Sequence, residues 1–421
     1  MKKLYVYADF DWLKEAELVG VLGYESLRGS DSYSFEFSPN WIQKYNAIHL
    51  SEDLRNYTGV QYTRPGNDIF CCFSDALPDR WGRTLLLRRE QLLAQEECRP
   101  VRRLSSFDFL VGLDDYSRMG GFRFKESSDG KFINSDRSLR IPPLTDLREL
   151  LTACKEIEKN EEKNTLPDKK WITQLFQPGS SLGGARPKAN VVGSDGRLLI
   201  AKFPSLADDY DVGLWEHFYH LLARTAGIKV AETEVVHTSE KFHTLLSRRF
   251  DRTPNGKRKH FASAMTLLGL TDGDNAATGY GYPDIAAFVV GECTDVEANL
   301  QELYRRVAFN ICTGNSDDHF RNHGFLLTEK GWTMSPAYDM NPTLNDHQSL
   351  LINSKTDVSD LSVLLNSCGE YMLSHDTAKL IIAEVAQAVK GWRTMANRLG
   401  IAKREQSLFE SVLEGRWRSF G

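Results

Sequence analysis

The sequence has no long hydrophobic run, and no stretch approaches the roughly 20 apolar residues that a membrane-spanning helix needs. Near the N-terminus, only five uncharged residues separate Lys3 from Asp9, which is too short for the apolar core of a signal peptide. We therefore expect a cytoplasmic protein with no membrane partner.

Cysteine is scarce, and its spacing does not favour cross-linking. None of the 7 cysteines forms a CxxC pair, and Cys71 and Cys72 are adjacent. This pattern argues against a disulfide framework or a zinc site and favours a reducing compartment.

Excess positive charge is also lacking, because the formal net charge is -5. Contact with DNA would therefore require a local basic patch or a basic partner.

The length of the chain, 421 residues, exceeds the size at which a single hydrophobic core keeps growing, so two or more domains are expected. A hydrophobic content of 41% with 26% charged residues is typical of a globular protein. Short apolar stretches bounded by turn residues predict strands at the N-terminus, and residues 33–37 alternate with the period of a half-buried strand. Residues 80–96 carry leucines near helical spacing, which predicts a helix.

The pattern changes after about residue 171. Residues 188–192 and 198–203 predict two strands around a turn at Ser194–Gly196. A helix is predicted over 209–226, where apolar residues share one face, followed by strands over 232–237 and 244–250. Helical segments dominate afterwards, including 296–312. Strands followed by helices predict an α+β fold.

A first candidate for chemistry is the small-residue segment Pro178–Lys188, in which Gly183 and Gly184 would let the backbone approach a polyphosphate. The segment is not a Walker A motif, because Gly-x-x-x-x-Gly-Lys-Ser/Thr is absent. An ordinary turn before a strand is the alternative interpretation.

A second candidate is Lys202, which lies within the apolar segment Leu199–Phe203. A lysine there needs a partner for its ammonium group, and Glu216 on the following helix is in a position to supply it. The alternative is a solvent-facing lysine on an edge strand.

The third candidate is the segment Asp317–Asn322. Asp317 and Asn322 are five residues apart, as are the base aspartate and the metal-binding asparagine of the protein-kinase catalytic loop. Asp339 follows a second short strand and is a plausible magnesium carboxylate. A capping turn is the alternative for Asp317 alone. The spacing of His319 and His323 invites a zinc hydrolase reading, but His-Glu-x-x-His is missing.

Basic residues flank a polar turn at Arg248–Arg249 and Lys257–Lys259. Their clustering predicts a solvated hairpin, with contact to an acidic partner as the alternative.

Taken together, these motifs resemble the HipA family, the serine/threonine kinase toxins of bacterial toxin–antitoxin pairs. The segment Phe73–Asp79 resembles the Leu-Pro-Asp signature of the family, and Ser181–Lys188 its phosphate loop. Ile200–Pro204 resembles the ATP-binding lysine strand, Asp317–Asn322 the catalytic loop, and Tyr338–Asp339 the second magnesium site. The resemblance covers nearly the whole chain.

The resemblance implies a two-lobed, protein-kinase-like α+β fold with an N-terminal β-rich subdomain and a helical C-terminal lobe. It divides the chain into an N-terminal HipA-like subdomain (1–105), the rest of the N-lobe with the phosphate loop, lysine strand and hinge (106–265), and a helical C-lobe with the catalytic loop and metal site (266–421).

The resemblance also implies a role for each matching residue, with ATP and Mg2+ as cofactors. Asp317 would be the catalytic base, Asn322 and Asp339 would hold the metal, and Glu216 would pair with Lys202. The residues expected to bind ATP are Leu182, Gly183, Gly184, Ala185, Arg186, Lys188, Lys202, Ala262, Ser263, Ala264, His319, Phe320, Arg321, Asn322, Tyr338 and Asp339. Ser181, with Ser180 as the alternative, would be the site of inactivating autophosphorylation.

Two residues depart from the family pattern. Pro187 removes one backbone donor from the predicted phosphate loop. Asp318 stands where the family often has a small residue, and we expect it to add negative charge near the phosphates.

The partners implied are a helix-turn-helix antitoxin similar to HipB, operator DNA reached through that antitoxin, and a protein substrate in translation such as an aminoacyl-tRNA synthetase. Two other functions stay open at this point. One is a small-molecule phosphotransferase that uses the same residues, and the other is a catalytically silent co-repressor acting with an antitoxin.

Overall fold

The structure is a computed structural model, and it describes residues 1–27, 30–64, 67–135, 141–176 and 186–418. The strands of the described residues are β1 (Lys2–Ala8), β2 (Glu17–Leu27), β3 (Ser30–Phe37), β4 (Val60–Tyr62), β5 (Phe122–Lys125), β6 (Lys188–Val192), β7 (Leu198–Lys202), β8 (Thr233–His237), β9 (His243–Arg248), β10 (His260–Ser263), β11 (Gly324–Thr328) and β12 (Gly331–Met334).

Helices of the described residues lie between and after these strands. They are α1 (Pro39–Tyr45), α2 (Arg80–Glu96), α3 (Ser106–Gly112), α4 (Leu147–Glu162), α5 (Lys169–Phe176), α6 (Val212–Thr225), α7 (Ala264–Leu267), α8 (Tyr282–Glu292), α9 (Val296–Thr313), α10 (Leu361–Asn366), α11 (His375–Val389), α12 (Trp392–Arg398) and α13 (Lys403–Gly415). Within the described ranges, no helix combines the length and the apolar character needed to cross a membrane.

The chain forms two compact units. The first comprises Met1–Asp208, His237–Glu240 and Leu246–Ala262, and the second Asp209–Val236, Lys241–Leu245 and Ser263–Gly421. Helix α6 and most of β8, which the sequence-based division assigned to the middle segment, belong to the second unit. The three-part division itself stays a prediction.

The N-terminal part of the first unit is an antiparallel sheet in the order β4-β3-β2-β1-β5. Alternate residues of β1, namely Leu4, Val6 and Ala8, are fully buried. This period of two gives the sheet one apolar face, and that face packs on a core rich in aromatic rings. Helix α2 begins at Arg80 because the Asp79 carboxylate accepts a hydrogen bond from the Gly82 amide at 2.7 Å.

Strands β6 and β7 of the first unit form the predicted antiparallel hairpin, in which Lys188 lies opposite Lys202 and Val192 opposite Leu198. Gly196 has φ 77°, a left-handed conformation that favours glycine, and it lies in the turn between these strands. Strand β7 in turn neighbours β9. The hairpin brings Lys202 to the end of an internal strand.

The second unit is mainly helical. Helix α9 buries Leu300, Leu303, Val307 and Ile311, the residues predicted to share one face, and packs against α8, α11 and α13. Strands β11 and β12 form an antiparallel hairpin that pairs Phe325 with Met334. The helices predicted over 80–96 and 296–312 are confirmed, and the helix predicted over 209–226 starts three residues later because Asp211 caps α6.

The expected solvated hairpin is wrong for Arg249 and Arg258, because both are buried in the first unit. Arg249 forms a bidentate ion pair with Asp251 at 2.8 and 2.6 Å, and Arg252 donates to the same carboxylate at 2.6 Å. Arg258 donates to the carbonyl oxygen of Asp115. Charge clustering in the sequence could not distinguish a surface patch from this internal ion cluster.

Candidate active site

The predicted catalytic loop follows the end of α9 in the second unit. Helix α9 ends at Gly314, whose φ is 69° and whose amide donates to the Asn310 carbonyl. A Cβ at Gly314 would lie 2.8 Å from Val412 Cβ and 3.0 Å from the Thr343 carbonyl oxygen. Glycine thus allows the chain to leave the helix sharply and to approach its neighbours closely.

Asp317 presents an exposed side chain at the centre of this loop. Desolvation raises the pKa of its carboxyl group, and the carboxylates of Asp339 and Asp318 raise it further, while His319 acts in the opposite direction. A raised pKa makes the carboxylate a stronger base, which is the property that a proton acceptor needs.

Asn322 lies at the end of a short 3-10 turn (Phe320–Asn322), and its side-chain nitrogen donates to the Asp317 carbonyl oxygen at 3.1 Å. That hydrogen bond leaves the amide oxygen of Asn322 to act as an acceptor or ligand. Asp339, whose negative charge raises the pKa of Asp317, has φ 57°. A non-glycine residue in the left-handed region is strained, and such strain is concentrated at functional sites.

This donor set fits magnesium. An amide oxygen from Asn322 and a carboxylate from Asp339 are hard oxygen ligands, and Mg2+ commonly takes one or two carboxylates while phosphate and water complete its shell. In the described part of the chain, no group of three or more His, Cys, Asp or Glu residues is arranged to hold a metal ion. A two-ligand site of this kind would depend on nucleotide phosphates.

Asp318 is buried beneath the loop. The residue is only 4% exposed, and Oδ2 accepts hydrogen bonds from Asn310 Nδ2 at 2.6 Å, His323 Nε2 at 2.7 Å and the Tyr282 hydroxyl at 2.8 Å. Burial opposes ionisation, but His323 and the hydrogen bond from Tyr282 outweigh it and lower the pKa of Asp318. The negative charge of Asp318 is therefore bound internally, and its expected effect on the phosphates stays a prediction.

The residues predicted to line the nucleotide are distributed around the same loop. Phe320 is buried, whereas His319 is half-buried. Arg321 forms a bidentate ion pair with Asp272 at 2.7 and 3.0 Å, and its carbonyl oxygen accepts a hydrogen bond from the Tyr338 hydroxyl at 2.5 Å. Tyr338 thus links the loop to the segment that carries Asp339.

The segment Ala262–Ala264, predicted to bind ATP, lies where β10 ends and α7 begins, and all three residues are buried. Ser263 caps α7 by accepting a hydrogen bond from the Thr266 amide. The Ala264 amide donates to the His323 carbonyl oxygen at 2.7 Å. The segment therefore joins a strand to a helix, and ATP binding by these three residues stays a prediction.

In the first unit, two of the residues predicted to bind phosphate have internal partners. Arg186 pairs with Asp208 through contacts of 2.9 and 2.5 Å. Lys188 is 3% exposed and lies 3.0 Å from Asp79 Oδ2, so it pairs with the aspartate of the Leu-Pro-Asp segment. Sequence reasoning did not find either pair, because the partners lie far apart in the chain or beyond the motif.

Several other predicted residues cannot be placed in contact with one another. Leu182, Gly183, Gly184, Ala185, Ser180 and Ser181 lie outside the described residues. Lys202 lies at the end of β7 in the first unit, and Glu216 is buried in α6 of the second. The Lys202–Glu216 ion pair stays a prediction.

The sequence and the structure were compared with known proteins. Residues 180–392, just over half of the chain, match the family model of the HipA-like C-terminal domain. The chain belongs to the HipA family. A serine/threonine-protein kinase toxin HipA from Shewanella oneidensis is 27% identical over 351 residues, which is 77% of this chain and 72% of that protein.

A second relative of this HipA-family chain is a putative kinase from Haemophilus influenzae, 24% identical over 186 residues. The match covers 39% of the chain and about half, 52%, of that relative. The fold resembles a chain of the Shewanella oneidensis complex of HipA, HipB and operator DNA, with a TM-score of 0.65 and 16% identity over 99% of this chain and 96% of the other. The predicted α+β fold class is confirmed.

The sequence motifs did not reveal the hydrogen-bond partners of Asp318. Tyr282 and Asn310 belong to different helices and precede Asp318 by 36 and 8 residues, respectively. No local spacing connects them with Asp318. The only signal available in the sequence was the polar character of Asn310 near the end of an apolar helix.

Proposed function

We propose that this chain is an ATP- and magnesium-dependent serine/threonine protein kinase that acts as the toxin of a type II toxin–antitoxin module. The observation that carries the proposal is the grouping of three elements in the second unit. These are the exposed Asp317 with its raised pKa, Asn322 hydrogen-bonded to the Asp317 backbone, and Asp339 in a strained conformation close enough to affect Asp317. The Shewanella relative, a kinase toxin by name, supports the assignment.

In the proposed reaction, Asp317 orients a serine or threonine hydroxyl of the substrate and accepts its proton. The hydroxyl oxygen bonds to the γ-phosphorus as the bond to the β–γ bridging oxygen breaks and ADP leaves. Asn322 and Asp339 would hold Mg2+, which neutralises charge on the phosphates when bound. Lys202 and the loop Leu182–Lys188 are assigned to the phosphates, and His319, Phe320, Arg321 and Tyr338 to the nucleotide.

The proposed partners are a HipB-like antitoxin, operator DNA through that antitoxin, and a protein of translation as substrate. The antitoxin and the operator DNA are supported by the matched structure, which is a complex of HipA, HipB and operator DNA. Autophosphorylation of Ser181 would place about -1.5 to -2 charges in the loop assigned to the ATP phosphates, and like-charge repulsion would switch the enzyme off.

Substrate class and self-inactivation are tested together by phosphoproteomics after brief expression. Cells that express the wild type should gain phosphoserine or phosphothreonine on a translation protein, and the chain itself should carry phosphate on Ser181. Both signals should be absent with Asp317→Ala. Unmodified Ser180 and Ser181 in the wild type would contradict self-inactivation, and an unchanged phosphoproteome would contradict the protein-kinase assignment.

The metal assignment is tested with Asp339→Asn. Asparagine also tolerates the left-handed backbone conformation, so this change removes the charge and largely preserves the geometry. We expect the Mg2+ concentration for half-maximal ATP turnover to rise about 10-fold or more, because loss of one carboxylate weakens a site with few protein ligands. Magnesium titration of ATP turnover measures the shift. Asp376→Asn, in an exposed position at the start of α11, is the control and should leave the titration unchanged.

A further inference from the structure

One buried polar network underlies the catalytic loop of the second unit. The carboxylate oxygen Oδ2 of Asp318 receives three donors from different parts of the unit. They are Tyr282 at the start of α8, Asn310 near the end of α9, and His323 just before β11. All four residues are 4% exposed or less. Hydrogen bonds to a buried charged group are stronger than those between neutral groups, so this anchor resists displacement.

Asn310 extends the network toward the segment that carries Asp339. While its nitrogen donates to Asp318, its oxygen accepts a hydrogen bond from Asn315 Nδ2 at 2.9 Å. The oxygen of Asn315 accepts from the Asn341 backbone amide at 3.3 Å. Asn341 lies two residues after Asp339. The side chains of Asp318, Asn310 and Asn315 therefore form a chain of hydrogen bonds. It runs from the neighbour of Asp317 to the backbone near Asp339.

His323 extends the same network in a second direction. Its side chain donates to Asp318, and its backbone carbonyl accepts from the Ala264 amide at 2.7 Å, at the start of α7. Asn322 is the last residue of the turn and directly precedes His323, so its position is restrained by the turn on one side and by His323 on the other. Asp317 is restrained in the same way, because it is adjacent to Asp318 and its carbonyl accepts from Asn322.

We propose that Asp318, held by Tyr282, Asn310 and His323, is the positioning centre that fixes Asp317, Asn322 and Asp339 relative to one another. None of these four residues is assigned contact with the substrate or the nucleotide. Their effect is to restrict the backbone on which the reacting side chains are carried. An error of about 1 Å in such a geometry can cost about 100-fold in rate, so an internal anchor of this strength has a direct catalytic consequence. The kinetic part of this inference rests on the proposed kinase function, whereas the structural part does not.

The test uses Tyr282→Phe, because Asp318→Asn would disturb three hydrogen bonds at once. The change removes a single buried hydroxyl and leaves the ring in place. Tyr304→Phe is the matched control: Tyr304 is also fully buried in the second unit, and its hydroxyl donates to the Leu364 carbonyl at 3.1 Å, outside the network. Each variant removes one buried tyrosine hydroxyl. The Tyr282 hydroxyl donates to the Asp318 carboxylate and accepts a long hydrogen bond of 3.5 Å from Asn310, whereas the Tyr304 hydroxyl donates to a neutral carbonyl outside the network.

Hydrogen exchange followed by mass spectrometry provides a readout that needs no activity. Tyr282→Phe should accelerate exchange about 10-fold in peptides covering 314–324 and 339–343, as expected when a hydrogen bond to a charged group is lost. Tyr304→Phe should leave these peptides within about twofold of the wild type. Equal exchange in the wild type and Tyr282→Phe, or equal acceleration by both variants, would overturn the proposal.

Kinetics then separate positioning from binding. In the full-length protein, Tyr282→Phe should lower kcat for ATP turnover about 10-fold with KM for ATP within about twofold, whereas Tyr304→Phe should change neither. A rise in KM with kcat unchanged would contradict the proposed role. If exchange responds as expected but the wild type transfers no phosphate, the kinase assignment fails and the structural anchor stands.

Discussion

Asp317→Asn is expected to reduce phosphate transfer about 100- to 10,000-fold, the range that a positioned general base contributes. Asparagine has the same shape as aspartate but cannot accept the proton at neutral pH. The side chain is exposed, and the loop is held through the Asp317 backbone and through Asp318, so folding should be unaffected. The loss should therefore appear in kcat, with the melting temperature unchanged.

The measurement is transfer of labelled γ-phosphate from ATP to protein, with ATP turnover followed in parallel. Asp376→Asn is a suitable control, since it removes an exposed aspartate from α11 of the same unit. Asp317→Asn with activity within about threefold of the wild type would exclude Asp317 as the base. A wild-type protein that labels no protein substrate but transfers phosphate to a sugar or an alcohol would favour a small-molecule phosphotransferase.

The largest expected loss of stability comes from Asp251→Ala in the first unit. The Asp251 side chain is fully buried, and it neutralises Arg249 and Arg252 while accepting a hydrogen bond from the Gly120 amide at 2.9 Å. Its removal leaves two buried guanidinium groups without their shared carboxylate. We expect the free energy of unfolding of the first unit to fall by about 3–5 kcal/mol, as when one partner of a buried pair is lost.

Urea unfolding, followed by the fluorescence of tryptophans, measures this loss. Asp195→Ala is the matched control, because Asp195 is an exposed aspartate paired with Arg248 at 2.6 Å, and its removal should leave the urea midpoint close to that of the wild type. An equal loss of stability in the two variants would show that the buried ion cluster stabilises the first unit no more than an exposed ion pair does.

The same cluster has a defined pH dependence. Desolvation opposes ionisation of Asp251, but Arg249 and Arg252 outweigh it and hold the pKa of Asp251 far below its usual range in the folded chain. Its stabilising contribution is therefore complete above the unfolded pKa of about 3.9 and is lost as the pH falls toward the folded pKa. Between about pH 5 and 8 the contribution of Asp251 is constant, so the difference between Asp251→Ala and the wild type should not vary there.

The sequence predicted those features that local spacing encodes. Helix α2 was predicted over its full length because leucines recur at helical spacing, and the β6–β7 hairpin followed from two apolar runs around Asp195-Gly196. The loop that carries Asp317 was recognised because the five-residue separation from Asn322 is itself local. In each case the determining interactions lie within a few residues of one another.

Features that depend on distant partners could not be predicted. The hydrogen bonds that bury Asp318 were not predicted, because nothing in its neighbourhood along the chain revealed Tyr282 as a donor. Arg249 was expected at a surface, although Asn190 and the Ser117 carbonyl bind it internally. Burial of a charge is decided by tertiary contacts, and a single sequence does not contain them explicitly.

The ion pair between Asp79 and Lys188 bears on how far the N-terminal subdomain can be treated as a separate module. Asp79 belongs to residues 1–105, and Lys188 begins β6 and ends the segment assigned to the phosphates. Deleting the subdomain would remove the carboxylate that pairs with a lysine only 3% exposed, so the burial of its ammonium group would become less favourable. The pair crosses the boundary predicted at residue 105. The charge balance of strand β6 therefore depends on a residue more than a hundred positions earlier in the chain.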